Sequence, residues 1–179
     1  YREHVTRLPE FVVNRIEHGD PVDDELLFVE YVKEGGARCA FVSYSAHATT
    51  IGPESGVCSG DYPATIRKVL LQHGYSQALF ISSSTGQAGP AFNGLRVSYG
   101  DVETAKRYGS ALSERILALA SASSEPFLHN MEITPFMSTI RLPKYQYRTM
   151  GLVLRPWVTG WLIGSPNPLA TIQAFRLGG

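Results

Sequence analysis

Residues 26–44, LLFVEYVKEGGARCAFVSY, contain two strand patterns separated by a tight turn, and they decide the fold class. Residues 26–33 and residues 38–44 are each apolar and rich enough in β-branched and aromatic side chains to form a strand. The intervening Glu34-Gly35-Gly36-Ala37 predicts a hairpin turn, because glycine readily adopts the positive φ angles that tight turns require. The stretch therefore predicts an antiparallel hairpin.

Helix and strand patterns alternate after this hairpin. A helix is predicted between Pro63 and Gly74, since proline suits the first helical turn and glycine commonly ends a helix. Residues 77–83 predict a buried strand, and residues 84–94 are rich in Gly, Ser and Pro and predict a loop. Residues 101–120 predict the longest helix, because their apolar side chains recur at helical spacing.

The carboxyl-terminal third is less regular. Residues 131–142 and 169–177 alternate as strands do, while residues 145–168 are aromatic and irregular. The whole pattern predicts an α/β fold, a mixed β-sheet packed with helices. We expect residues 1–179 to form a single catalytic-domain fragment that is incomplete at both ends and belongs to a larger domain.

The composition narrows the function classes. The chain has 179 residues, with 16 Lys and Arg against 16 Asp and Glu, so its formal net charge is zero. The hydrophobic share of 44% excludes general disorder, and the balanced charge argues against nucleic-acid binding. No apolar run predicts a membrane-spanning segment, and no signal peptide is visible. The two cysteines are expected to be unpaired, and the oligomeric state stays open.

One of the five histidines stands out as a candidate ligand. His47 follows a predicted strand and lies in a loop of small residues, and strand ends are where α/β folds place their ligand groups. His73 is placed at a helix C-terminus, where a partly charged imidazole suits the helix dipole. The other three lie in polar stretches and are expected to be exposed: His4, His18 and His129.

Several segments, taken in order, resemble the N-terminal catalytic domain of the neutral/alkaline non-lysosomal ceramidases. Asn14-Arg15 resembles the family's Asn-Arg motif. Residues 41–53, FVSYSAHATTIGP, are similar to its strand-then-histidine element, and residues 59–63, SGDYP, to its S-x-D-Y/F-P-G helix start.

The resemblance continues downstream. Residues 78–90, ALFISSSTGQAGP, resemble the strand that leads into the family's G-D-V-S/N-P loop, and residues 104–120 resemble the helix that follows that loop. Residues 170–179 are more weakly similar to the strand that precedes the family's P-G-E segment. The resemblance covers residues 11–120 best.

This resemblance implies a zinc-dependent hydrolase that cleaves the amide bond of ceramide-like lipids. Zinc would activate a water molecule and polarise the amide carbonyl. His47 would be one zinc ligand, Arg15 would stabilise the oxyanion or hold a polar substrate group, and Asp61 would orient a ligand or the helix start. Substrate contacts would come from Asn14, Gly86, Gln87 and Gly89. A secreted or periplasmic location is implied as well.

The chain also departs from the family pattern. Gln87 stands where the family has an acid, and Gly89 where it has serine or asparagine. The family's site needs a further histidine, a glutamate and usually a tyrosine, and only His47 has a match here. Two alternatives therefore stay open: a non-catalytic binding module that kept the fold, and an acyl-ester hydrolase on the same scaffold.

Overall fold

The computed structural model describes residues 1–17, 19–129, 133–141, 147–149, 152–155, 158 and 169–177. The chain divides into two compact units, residues 1–129 and residues 130–179. A single catalytic-domain fragment over residues 1–179 stays a prediction. Within the described residues, no helix combines the length and the apolar character needed to cross a membrane.

The first unit contains seven strands and two α-helices among its described residues. In chain order they are β1 (Arg2–Arg7), β2 (Val12–Asn14), β3 (Glu25–Val32), β4 (Arg38–Tyr44), α1 (Asp61–Gln72), β5 (Tyr75–Ser82), β6 (Ala88–Phe92), β7 (Leu95–Arg96) and α2 (Val102–Ala122). A four-stranded sheet has the order β1-β3-β4-β5, with β5 parallel to β4 and the other pairs antiparallel. This mixed sheet, packed with helices, confirms the predicted fold class.

The predicted hairpin and helices are present. Gly35 and Gly36 take φ angles of 88° and 84° between β3 and β4, as the turn prediction requires. Helix α1 begins two residues before Pro63 and is followed by Gly74 at φ 88°. Helix α2 begins after Asp101, whose side chain accepts a hydrogen bond from the Thr104 N–H at 2.8 Å.

The core lies between one face of the four-stranded sheet and the two helices. It is built from fully buried side chains that include Phe28, Val42, Ile66, Leu112 and Ile116. Burying such a side chain stabilises a fold by about 1.5–3 kcal/mol. The core therefore fixes the sheet, and with it the strand ends from which the candidate site is built.

Glu30 lies at the centre of a buried polar network and is 1% exposed. Its carboxylate accepts hydrogen bonds from Arg2 at 2.6 Å, from Arg38 at 2.7 Å and from the Tyr75 hydroxyl. His4 Nε2 lies 3.3 Å from the same carboxylate. His4 is 8% exposed, so the prediction that it is exposed was wrong. His4 lies on β1 among polar residues. The pairing of β1 with β3 places the His4 side chain on the inner face, against Glu30.

Strand β5 was predicted to be buried, and the structure contradicts this. Leu79 is 54% exposed and Ile81 is 46% exposed. Strand β5 is an edge of the sheet, and the two helices cover only the face that carries Phe80. The apolar run from Gln77 onward was predicted from composition alone, and composition does not tell an edge strand from a central one.

The prediction of a loop over residues 84–94 was also wrong in part. Strand β6 pairs with β2 in antiparallel fashion, with Val12 opposite Pro90 and Asn14 opposite Ala88. Strand β7 adds a third strand, giving the order β2-β6-β7. Glycine and proline disfavour strands locally, so β6 exists because of its distant partner and not because of its own propensity.

The second unit has four described strands, β8 (Ile133–Arg141), β9 (Tyr147–Thr149), β10 (Leu152–Leu154) and β11 (Leu169–Leu177). Strands β8 and β11 pair in antiparallel register along their whole length, and β9 pairs with β10. The predicted strand over residues 169–177 is thereby confirmed, and the one over residues 131–142 is confirmed for its described part, Ile133–Arg141. Most of the irregular segment over residues 145–168 lies outside the described residues, as does His18.

Candidate functional site

The pairing of β2 with β6 brings Arg15 to the loop at residues 86–87. The Arg15 N–H donates to the Gln87 carbonyl at 2.8 Å, one position beyond the paired residues Asn14 and Ala88. Its side-chain Nε donates to the Gly86 carbonyl at 3.1 Å. Among the described residues, Arg15 forms no ion pair, and its two terminal amino groups have no hydrogen-bond partner. The Arg15 side chain is therefore held by a backbone carbonyl and not by a carboxylate.

Gly89 lies directly against Arg15. A Cβ atom placed on Gly89 would come within 3.2 Å of the Arg15 Cβ and 3.7 Å of the Val13 carbonyl oxygen. Residues 89 and 13 are opposite each other in the β2–β6 ladder, so this contact belongs to the strand pairing itself. Because Gly89 has no Cβ, Arg15 can lie close to β6.

His47 reaches the same strand from the other side. It lies three residues beyond the end of β4, and its N–H donates to the Ala88 carbonyl at 2.9 Å. Its ring nitrogen Nδ1 is buried and has no hydrogen-bond partner within the part of the chain that the structure describes. A buried ring nitrogen without a partner costs stability, so it marks a place where a ligand would be favourable.

The segment after His47 is held by a second piece of backbone. The Tyr99 N–H donates to the Thr49 carbonyl at 3.0 Å, and the Gly100 N–H donates to the Thr50 carbonyl at 2.8 Å. The Gly52 N–H returns a bond to the Gly100 carbonyl at 2.9 Å. Residues 49–52 are therefore held by an isolated parallel bridge between Ile51 and Gly100.

Asp61 joins this segment to helix α1. Its buried carboxylate accepts hydrogen bonds from the Thr50 hydroxyl, from the Ile51 N–H at 2.9 Å and from the Tyr62 N–H at 2.7 Å. Asp61 itself has φ 53°, a left-handed conformation that is uncommon for residues other than glycine, Asn and Asp. The described contacts give Asp61 a role in orienting the segment after His47, and a catalytic role stays a prediction.

Asn14 and Gln87 use their side-chain amides to hold a neighbouring loop. Both donate to the Pro21 carbonyl, at 3.3 Å and 3.2 Å respectively. The Asn14 Oδ1 also accepts from the N–H groups of Ile16 and Glu17, at 3.0 Å and 3.1 Å, which makes a side-chain turn. These bonds fasten the chain between β2 and β3 beside Arg15, and substrate contact by either residue stays a prediction.

A groove of about 370 Å³ lies between α1 and α2. It is lined by residues that include Asp61, Lys68 and Lys106, and its lining contains neither His47 nor Arg15. Tyr62 was not among the predicted site residues, although its buried hydroxyl donates to the Ala46 carbonyl, next to His47. No sequence signal marks such a bond, because the acceptor is a backbone atom.

The residues that the structure describes do not by themselves fit a complete zinc site. They contain no group of three or more His, Cys, Asp and Glu side chains close enough to share a metal ion. A catalytic zinc is usually held by three protein ligands and a water molecule. The unpartnered Nδ1 of His47 suits one such ligand, and no second ligand accompanies it among the described residues.

The fold and the site together define an α/β chain in which a half-buried histidine bonds to Ala88, and an arginine bonds to the two residues before it. The fold is similar to that of the crystal structure of neutral ceramidase from Pseudomonas aeruginosa, with a TM-score of 0.67 and 16% sequence identity over 98% of this chain. It is also similar to a ceramidase complexed with C2, with a TM-score of 0.61 and 14% identity over 84% of this chain.

The chain spans 38% of the length of the first of these structures and 27% of the second. No protein-family model matches the sequence, and no curated protein matches it. At these identities the similarity shows that the fold resembles part of a ceramidase.

Proposed function

We propose that the chain is part of a ceramidase-like hydrolase that cleaves the amide bond of ceramide-like lipids. The observation that carries the proposal is that His47 and Arg15 both bond to the short segment 86–88, in a fold similar to that of neutral ceramidase. His47 bonds to Ala88, and Arg15 bonds to Gly86 and Gln87. Neither residue is a neighbour of the other in sequence. Their convergence on one short segment is the arrangement expected when a fold serves to assemble a site.

In this proposal His47 is one ligand of a zinc ion. Its Nδ1 is buried and unpartnered among the described residues, which supports a role as a ligand. The remaining ligands would come from outside the described residues. Zinc in hydrolases acts on a bound water and on a substrate carbonyl, and that chemistry is what amide hydrolysis requires.

Arg15 would bind the carbonyl oxygen of the substrate in this proposal. Its Nε is fixed on the Gly86 carbonyl, so the guanidinium plane is oriented before a ligand arrives. The two terminal amino groups each carry N–H donors, and such donors stabilise negative charge that develops on a carbonyl oxygen. Because the arginine has no acidic partner among the described residues, its charge remains available for this task.

The test is the zinc content and the lipid hydrolysis of the full-length gene product, measured on the wild type, on His47→Ala and on His73→Ala. His73 is the matched control, since its Nδ1 already lies 2.8 Å from the Val69 carbonyl at the end of α1. We expect about one zinc per chain in the wild type and in His73→Ala, as one catalytic ion requires. In His47→Ala we expect the zinc to be lost. The hydrolysis of ceramide, measured as released fatty acid, should be lost with it.

Equal zinc content in the two variants, or no zinc in the wild type, would overturn the assignment of His47. Parallel assays with an ester of the same acyl chain separate an amide hydrolase from an acyl-ester hydrolase. A zinc-containing product that cleaves neither substrate but binds the ceramide is the result expected of a binding module.

A further inference from the structure

The peptide bond between Ala46 and His47 is hydrogen-bonded at both of its polar atoms. Its carbonyl accepts a bond from the Tyr62 hydroxyl, and its N–H donates to the Ala88 carbonyl at 2.9 Å. The peptide unit is planar, so two bonds from different elements fix its rotation. The Cα of His47 belongs to this unit, so the point from which the imidazole leaves the backbone is fixed with it.

The backbone of His47 is fully bonded while its ring is not. Its carbonyl oxygen accepts from the Thr49 N–H at 2.8 Å. Its Nδ1, in contrast, is buried with no partner among the described residues. A bonded backbone that carries a half-buried ring with a buried, unpartnered nitrogen is the arrangement expected where the surroundings aim that nitrogen at a ligand.

We propose that Tyr62 is a positioning residue for His47 and acts through the Ala46 carbonyl. Tyr62 is completely buried, and its ring packs edge-on against Phe80 and Tyr108, with centroid separations of 5.6 Å and 4.9 Å. The hydroxyl therefore has a fixed place from which to donate. The inference rests on the proposed function only in giving His47 a ligand.

Tyr62 works beside Asp61 in this arrangement. Tyr62 holds the peptide that precedes the imidazole, and Asp61 holds Thr50 and Ile51 on its other side. Asp61 and Tyr62, at the start of α1, thus form hydrogen bonds to the chain both before and after His47. A rigid helix is a better platform for this purpose than a loop, because its own backbone bonds keep the two side chains in a constant relation.

The chain contains two matched controls for the loss of this hydroxyl. Tyr44 donates to the Leu8 carbonyl at 2.7 Å, and Tyr108 donates to the Phe11 carbonyl. Both rings are completely buried, as that of Tyr62 is. Each Tyr→Phe substitution therefore removes one buried hydroxyl and leaves one backbone carbonyl without its donor. Only Tyr62→Phe does so next to His47.

The experiment compares the wild-type chain with Tyr62→Phe, Tyr44→Phe and Tyr108→Phe by nuclear magnetic resonance. The His47 signals are assigned by their loss in His47→Ala. We expect the His47 backbone N–H in Tyr62→Phe to exchange with solvent about tenfold faster than in either control, as the loss of one buried hydrogen bond allows. We also expect its imidazole signals to shift in Tyr62→Phe alone. The His73 signals serve as the internal reference.

Equal changes at His47 in Tyr62→Phe and in Tyr108→Phe would overturn the proposal, because they would show a general loss of stability. If Tyr62→Phe fails to fold, Phe80→Leu loosens the Tyr62 ring and keeps its hydroxyl. Phe92→Leu is then the control, since Phe92 packs against Tyr108 at 5.4 Å. We expect only Phe80→Leu to move the His47 signals, and equal shifts in both would contradict the positioning role.

This experiment needs neither zinc nor lipid. A full-length product without zinc, combined with His47 signals that respond only to Tyr62→Phe, would overturn the proposed function and leave the positioning role intact. A zinc content that depends on His47, combined with His47 signals that do not change in Tyr62→Phe, would support the proposed function and overturn the positioning role.

Discussion

The Arg15 side chain donates from Nε to the carbonyl oxygen of Gly86, 3.1 Å away, across 71 positions of sequence. The acceptor is a backbone atom, so the bond orients the guanidinium without neutralising it. A carboxylate at this place would hold the arginine more tightly and would also cancel the charge that a substrate carbonyl needs. The surroundings of this pair can be disturbed at Gly89, and Gly86 offers a control.

We expect Gly89→Ala to destabilise the chain by about 1 kcal/mol, the lower end of the cost of overpacking. The new Cβ would lie 3.2 Å from the Arg15 Cβ, and β2 cannot withdraw without losing its bonds to β6. Denaturant unfolding measures the change. Gly86→Ala is the control, because a Cβ there meets nothing within 4 Å. Equal stability of the two variants would contradict the close approach.

Asp61→Asn should lower the free energy of unfolding by about 1–3 kcal/mol, because a buried donor loses its acceptor. Asparagine tolerates the φ angle of 53°, so the substitution isolates the hydrogen bonds from backbone strain. Asp101→Asn, at the exposed start of α2, should change stability by less than about 0.5 kcal/mol, since Asn and Asp cap helices equally well. A small effect at both positions would show that Asp61 does not hold the segment after His47.

The stability of the chain should fall at acid pH because Glu30 becomes protonated there. Burial alone raises the pKa of this carboxyl, but hydrogen bonds from Tyr75, Arg2, Arg38 and His4 outweigh burial and lower the pKa from 4.5 to about 2. The resulting stability is fully present above pH 4.5, the unfolded pKa, and is lost as the pH falls toward about 2, the folded one. The loss should be on the order of 3 kcal/mol.

Chemical unfolding between pH 2 and pH 7 tests this expectation. Glu30→Gln should be less stable than the wild type at pH 7 by about 3 kcal/mol, since it leaves the arginines without their partner. The stability of Glu30→Gln should also not fall as the pH is lowered in the way that the stability of the wild type does. Glu25→Gln, an exposed position on the same strand, should follow the wild-type curve. A wild-type curve that is flat below pH 5 would contradict the lowered pKa.

Gly109→Ala should destabilise the chain by about 1–3 kcal/mol, as overpacking does. Alanine normally stabilises a helix by about 1 kcal/mol relative to glycine, so the expected sign is reversed. The reason is that the added Cβ would lie 2.6 Å from the Thr65 Cβ and 2.8 Å from the Tyr62 carbonyl, which forces α1 and α2 apart. Ser110→Ala, one residue along, should be close to neutral. A gain in melting temperature for Gly109→Ala would contradict this close helix contact.

Local patterns were sufficient to predict the elements that owe their form to nearby residues. The hairpin of β3 and β4 follows from two apolar runs and two glycines, and α2 follows from its helical stripe. Strand β11 was predicted to its exact residues because alternation is strong there. In each case propensity, pattern and turn chemistry agree, and such agreement is what makes a segment predictable.

The features that escaped prediction depend on distant partners. Strand β6 has the composition of a loop and becomes a strand because β2 pairs with it. His4 lies in a charged segment and is buried because β1 places it against Glu30. The resemblance to a known family predicted Arg15, His47 and Gly86 as parts of one site. It did not predict Tyr62, whose partner is a backbone carbonyl.

The β2–β6 pairing also sets the order in which the molecule can be assembled. The β3–β4 hairpin closes locally and can form early, whereas the Arg15–Gly86 contact must first close a loop of 71 residues, at an entropic cost. During synthesis, Arg15 has to wait for β6 to leave the ribosome, which takes several seconds at about 5–20 residues per second. The candidate site consequently cannot be complete before β6 is available to pair with β2, whereas the β3–β4 hairpin has no such requirement.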